Sequence, residues 1–330
     1  MNNQPIDTQE AANAHAQEAA NALAQEIWKP DVILAGPGGS KAFLMLGCLK
    51  RLFETSETSE TSETFHQENY LDQVTKWVGV SAGAAICLLL VVGYTIEEII
   101  ELCLSVSILD DVLCIKLNEI KEKMGLIRNK TVEDKLTTYV KNKFNKIPTL
   151  AELYLLTNKE LTIVTYNLDK MRAEYLNKDT EPDLSCVEAT MMSMAIPVLI
   201  QPRKYKGNIY IDGGIGAPYP ISLHDNGQNN ILGLYIAAEE DFYCSDKKPV
   251  NFIYHLIQAG MKAFRDQEIK HASKTVKHIA LKTTVRDTTG LSLNSEDREN
   301  MINQGYLYAE HFLKQTEYEH INDTEEISFL

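Results

Sequence analysis

The five residues Gly79-Val80-Ser81-Ala82-Gly83 constrain this chain more than any others. Before them KWVGV (76–80) reads as an apolar strand, and after them AGAAICLLLVV (82–92) is apolar or small at every position. A helix without a polar face has to be buried, and a strand that passes directly into one belongs to a layered α/β fold. Small residues on either side of Ser81 relieve the crowding of a tight strand-to-helix turn and leave the serine hydroxyl exposed. The helix that follows places the positive end of its macrodipole beneath that hydroxyl, which favours negative charge developing there. The same letters also suit a glycine-rich turn whose serine caps the helix. The strand-turn-helix setting favours a nucleophile.

The rest of the chain continues the alternation. DVILAG (31–36) reads as a strand and LMLGCLKRLF (44–53) as the helix after it. Thr95, with Glu97 and Glu98 in the next turn, opens another helix, and residues 95–146 read as mostly helical. LTIVTYNL (161–168), GNIYIDGG (207–214), ILGLYIA (231–237) and HIALKTT (278–284) are further strands. CVEATMMSMAIP (186–197) reads as a helix stopped by Pro197, and SEDRENMINQGYLYAEHFLKQ (295–315) as a periodic closing helix. This order predicts the α/β class, with a mainly parallel central sheet covered by helices on both faces.

Two stretches stand apart. Residues 1–30 are an Ala/Gln-rich extension holding the near-duplicates AANAHAQE and AANALAQE, helix-prone but with little to pack. The tract ETSETSETSET (54–64) is too polar to offset its own ordering entropy, so it reads as a flexible insertion. The expected organisation is one domain over 31–315 carrying that insertion, with 316–330 as a tail.

A net charge of −14 argues against nucleic acid as a partner, and against simple electrostatic attraction to an anionic membrane. The six cysteines form no CxxC pair and suit a reducing compartment better than a disulfide framework. No secretory leader is legible at the N-terminus, and the apolar run 84–92 is too short to span a membrane. A cytoplasmic protein is expected, with peripheral attachment at membranes as a second placement.

Two further motifs bear chemistry. In Gly36-Pro37-Gly38-Gly39-Ser40-Lys41, residues without side chains let backbone N–H groups converge on an anion. A P-loop would need Gly-Lys-Ser/Thr, whereas Lys41 follows Ser40 and precedes Ala42, and the dinucleotide glycine spacing is absent too. An oxyanion hole from the amides of Gly38 and Gly39 fits better; Pro37 has no N–H to give. A plain connecting turn is the alternative. The other motif is Ile211-Asp212-Gly213-Gly214, a carboxylate at a strand end that could orient or deprotonate a serine. Alone it is a turn signal. Of the eight histidines, His224 is the candidate for a classical triad, with a solvated loop histidine as the alternative. No cluster has metal-ligand spacing, so neither a catalytic metal nor another cofactor is expected.

Taken in order, the three motifs resemble those of the patatin-like phospholipases: a glycine-rich GGGxR/KG loop, then GxSxG, then DGG or DGA. GVSAGAAICLLLVVGYTIEEI is similar to the family's nucleophile turn and the helices after it. ATMMSMAIPVLIQPRKYKGNIYIDGG is similar to the segment leading into its aspartate, and SEDRENMINQGYLYAEHFL to its C-terminal helix. The resemblance covers roughly residues 31–315 and implies a three-layer α/β/α fold. It implies Ser81 as nucleophile and Asp212 as general base, with Gly38 and Gly39 as oxyanion donors. Gly79, Val80, Ala82, Gly83, Gly213 and Gly214 complete the motifs. Lys41 matches the basic position of the loop, where it would contact a lipid phosphate or a structural partner. The loop departs from the family pattern at Pro37, in place of the first glycine, and at Ala42, in place of the last.

The function so implied is a lipid acyl hydrolase of the phospholipase A or lysophospholipase type, working through a covalent acyl-enzyme without a cofactor. Its partners would be a phospholipid or other acyl lipid at a membrane or micelle surface, and a protein activator. A soluble esterase or thioesterase with the same dyad is one alternative. A non-catalytic lipid-binding protein is another.

Overall fold

Aliphatic and β-branched residues build the centre of the fold. In the computed structural model the described residues are 28–54, 69–105, 125–127, 129–237, 249–283, 285 and 293–327. Among them β1 (Val32–Ala35), β2 (Lys76–Val80), β4 (Glu160–Asn167), β9 (Ile231–Ile236) and β10 (Val276–Leu281) run parallel in the order β10-β9-β1-β2-β4. Three antiparallel strands extend the sheet to eight: β5 (Arg172–Leu176) and β8 (Asn208–Asp212) on β4, and β7 (Arg203–Tyr205) on β8. The expected α/β class with a mostly parallel sheet is what the chain adopts.

One face of the sheet carries Val32, Leu34, Val78, Val80 and Val164, packed under Tyr219, Ile221 and Ile269. Ile269 belongs to α7 (Pro249–His271), so that helix and the 217–221 segment form one outer layer. The opposite face carries Ile33 and Trp77, both buried. Here lie α1 (Phe43–Phe53) and, against β1, β2 and β4, the fully apolar α2 (Ala82–Val92). From Ile86 to Val92 every side chain of α2 is buried, as a helix without a polar face requires. Gly93, at φ 95°, ends it and donates to the Leu89 and Leu90 carbonyls. The same flank holds α3 (Ile96–Ser105), α4 (Lys130–Phe144), α5 (Leu150–Thr157) and α6 (Cys186–Ser193).

The register on β4 decides where the site falls. Ile163 and Val164 pair with both β2 and β5, and Thr165 to Asn167 pair with both β5 and β8. A strand has two edges, so β2 and β8 share the edge opposite β5. They approach from opposite directions and end tip to tip: Val80 pairs with Val164, and Asp212 with Thr165. The residue after β2 is Ser81.

Among the described residues of 95–146 the mostly helical reading holds over α3 and α4, with one short interruption. Gly125–Ile127 is a strand, β3, paired parallel with β6 (Val198–Ile200). Glycine weakens a helix, and Pro197 ends one, so the two short apolar runs extend and pair instead. Residues 106–124 lie outside the described residues, as do residues 1–27 and 55–64. The closing helix α8 (Ser295–Ile327) continues beyond the expected 315. It meets α1 backbone to backbone: a Cβ on Gly47 would strike the Ile302 carbonyl, and one on Gly305 the Leu44 carbonyl. The chain divides into two units, Pro30–Glu310, which contains all the motifs, and Met1–Lys29 with His311–Leu330. In the second unit the Thr316 hydroxyl donates to the Phe312 carbonyl, one helical turn back.

Candidate active site

Ser81 sits between β2 and α2 with φ 57° and ψ −125°, a conformation that side-chain-bearing residues rarely hold. The neighbours explain how the turn closes. A Cβ on Gly79 would collide with Ala84, and one on Gly83 with the carbonyls of Ala35 and Gly36. Those small residues let β1, β2 and α2 converge. The Ser81 N–H donates to the Ser193 hydroxyl at 2.8 Å, and that hydroxyl donates to the Val164 carbonyl at 2.5 Å. Ser81 itself is 3% exposed.

Asp212 is brought to the tip of β2 by β8, close enough to Ser81 for the serine side chain to lower its pKa. It also caps the 3-10 turn Gly213–Ile215, taking the Gly214 N–H at 2.8 Å. Its own N–H donates to the Ala195 carbonyl at 2.9 Å. Gly213 lies so close to the Val164 carbonyl that no Cβ would fit, and Gly214 faces the Met261 methyl of α7 and Pro37. Burial pushes the Asp212 carboxyl up to about 6, against the lowering effect of Ser81 and Gly214. A carboxylate raised that far can accept a proton from a hydroxyl more readily than one in water.

The glycine-rich loop leaves β1 beside this pair. Gly36 donates to the Leu234 carbonyl at 2.9 Å, and the N–H of Lys41 to the Gly38 carbonyl at 2.9 Å, closing the 3-10 turn Gly39–Ala42. Among the described residues no acceptor takes the amide of Gly38 or of Gly39. Gly39 holds φ 51°, whereas Ala42, at φ −60° and ψ −17°, needs no freedom that alanine lacks. Lys41 is half-buried and has no ion pair among the described residues.

His224 is not part of this cluster. The charges that act on it are those of Lys76 and Glu160, the first residues of β2 and β4, at the far end of the sheet from Ser81. Burial lowers its pKa. No group of His, Cys, Asp and Glu among the described residues could hold a metal ion. Cys48, Cys87, Cys103 and Cys186 are free thiols. No helix among the described residues is long and apolar enough to cross a membrane.

Sequence reasoning missed Ser193, Ala195 and Met261. Ser193 did leave a signal. It is the last residue of the helix CVEATMMS, buried on an otherwise mostly apolar helix end, and a buried hydroxyl needs a partner.

Over residues 34–223, more than half its length, the chain matches the model of the patatin-like phospholipases, and it belongs to that family. Among curated relatives it is 27% identical over 193 residues to the "Probable lipid hydrolase 463L" of Invertebrate iridescent virus 6, covering 56% of this chain and 66% of that protein. It is 26% identical over 247 residues to the "Uncharacterized protein R571" of Acanthamoeba polyphaga mimivirus, covering 72% of this chain and 76% of that one. The chain thus spans about two thirds of the first relative. Among solved structures, VipD from Legionella pneumophila superposes with a TM-score of 0.52 at 18% identity, over 87% of this chain and 67% of VipD. The type III effector ExoU of Pseudomonas aeruginosa gives 0.50 at 15%, over 87% of this chain and 53% of ExoU. At those identities the likeness is one of fold.

Proposed function

We propose that this chain is a lipid acyl hydrolase cleaving fatty-acyl esters of phospholipids or lysophospholipids, with Ser81 as nucleophile and Asp212 as its base. The observation that carries the reading is the register that ends β2 and β8 tip to tip, setting a strained, strand-end serine beside a buried carboxylate. Membership of the patatin-like phospholipases and the printed name of the iridescent-virus relative support the lipid as substrate class.

In the proposed reaction Asp212 takes the hydroxyl proton as Ser81 Oγ bonds to the ester carbonyl carbon, and the carbonyl oxygen becomes an oxyanion. The free amides of Gly38 and Gly39 stabilise it, and the positive end of α2 adds to the field. The intermediate collapses, the C–O bond to the alcohol breaks, and Asp212 returns the proton to that leaving oxygen. Water then attacks the acyl-enzyme, losing a proton to Asp212. The second intermediate expels Ser81 Oγ, which recovers the proton, and the fatty acid departs. No cofactor enters. Lys41, without an ion-pair partner among the described residues, is the group proposed to meet a lipid phosphate. The acyl lipid would be met at a membrane or micelle surface, and a protein activator is the second partner proposed, for a cytoplasmic or peripheral enzyme.

Fatty-acid release from mixed phospholipid micelles, assayed with and without cell extract, tests the reading. Ser81→Ala and Asp212→Asn should each lower the rate by at least about 10³-fold, as loss of a nucleophile or its base does. Undiminished release by folded Ser81→Ala would overturn the assignment.

A further inference from the structure

Ser193 has no part in that chemistry, yet its hydroxyl bonds the main chain of Ser81, and Ala195, two residues on, bonds that of Asp212. Its side chain closes α6 and is fully buried. Most buried hydroxyls on helices satisfy themselves locally. Thr190 does so by donating to the Cys186 carbonyl at 2.8 Å, as the half-buried Thr157 does to the Leu153 carbonyl at 2.8 Å. Ser193 instead donates to Val164, 29 positions away, and accepts from Ser81, 112 positions away. Val164 is the β4 residue opposite Val80, so this hydroxyl joins the end of β2 to its partner strand where the ladder stops. Two residues on, the Ala195 carbonyl takes the N–H of Asp212 at 2.9 Å.

The segment 193–195 therefore grips the main chain of both dyad residues. Ser81 needs such a grip. Its positive φ is unfavourable for a side-chain-bearing residue, and its own side chain caps no amide of α2. A strained peptide persists only when its surroundings over-determine it.

We propose that Ser193 is the positioning residue of the dyad: its Oγ holds the Ser81 peptide in the strained conformation, and Ala195 fixes Asp212 at the matching distance. Ser193 does not touch the reacting atoms. The inference rests on the reading of Ser81 and Asp212 as a dyad and adds a consequence to it. The Ser81 amide is already committed to Ser193, so it is withheld from the oxyanion, and that duty falls to Gly38 and Gly39.

Two variants of the full chain test this. Ser193→Ala removes the acceptor, and Ser193→Cys keeps the volume but bonds poorly, which covers the case in which the alanine variant fails to fold. Hydrogen exchange at the Ser81 amide should accelerate at least about tenfold in a folded variant, because its acceptor is gone. Labelling by an alkyl fluorophosphonate should show a maximal rate about 10- to 100-fold lower, with the probe's half-saturating concentration within about twofold of wild type. A role confined to packing would lower the thermal midpoint and leave both readings unchanged, and that result overturns the proposal. A wild-type chain that takes no fluorophosphonate would overturn the dyad reading instead; exchange at the Ser81 amide still decides whether Ser193 holds that peptide.

Discussion

The proposed chemistry turns on the Asp212 carboxyl. Ordinarily near 3.8, it is pushed up to about 6 by burial. As the base it must be ionised, so acylation of Ser81 should rise through pH 6 and level off above, falling about tenfold per unit on the acid side. A plateau that persisted down to pH 4 would contradict this role. The same shift has a thermodynamic side. The folded pKa lies above the unfolded one, so the stabilisation from the protonated carboxyl is complete below pH 3.8 and is lost as pH rises through about 6. At neutral pH the buried charge then costs the fold roughly 3 kcal/mol. Asp212→Asn keeps an acceptor for Gly214 without that charge. It should be inactive yet melt higher than wild type at pH 8, with the gain shrinking toward pH 4. Thermal unfolding at the two pH values checks the sign.

Among the elements, α2 and the strand tips carry the site. Leu88 is fully buried in α2, the helix that follows Ser81. Leu88→Ala should cost about 2–5 kcal/mol, read by denaturant unfolding. Gly47→Val should destabilise α1 against α8 by a comparable amount, because the Ile302 carbonyl occupies the space its side chain needs. Most of these elements were legible in the sequence, since a buried helix and short aliphatic strands announce themselves by composition. The turn at Ser81 was legible for the same reason. What no local pattern reveals is direction. β8 reads as a strand, but its antiparallel run against β4, which delivers Asp212 to Ser81, depends on pairing Tyr210–Asp212 with the distant Thr165–Asn167. β3 and β6 escaped notice because three-residue strands have no period to detect. The glycine-rich loop was legible as glycines, whereas the ease with which Ala42 fits follows only from its right-handed backbone. Ser193 was hidden because its partners are distant in sequence.

At the scale of the molecule, the proposed dyad, the glycine-rich loop and the Ser193–Ala195 segment all fall within Pro30–Glu310. Deleting Met1–Lys29 should therefore leave fluorophosphonate labelling within about twofold of the full chain; a loss beyond tenfold would assign that segment a share in the site. The net charge of −14 gives the chain no general attraction to anionic bilayers, so lipid engagement has to come from local contacts or a partner. The account as a whole stands on the identity of the nucleophile, and covalent labelling addresses that most directly. The full chain, treated with an alkyl fluorophosphonate at pH 7.5 with and without cell extract, should carry one adduct, and peptide mass spectrometry should place it on Ser81. Labelling should vanish in Ser81→Ala and fall steeply in Asp212→Asn. An adduct on another residue, or none under either condition, would contradict the Ser81–Asp212 dyad.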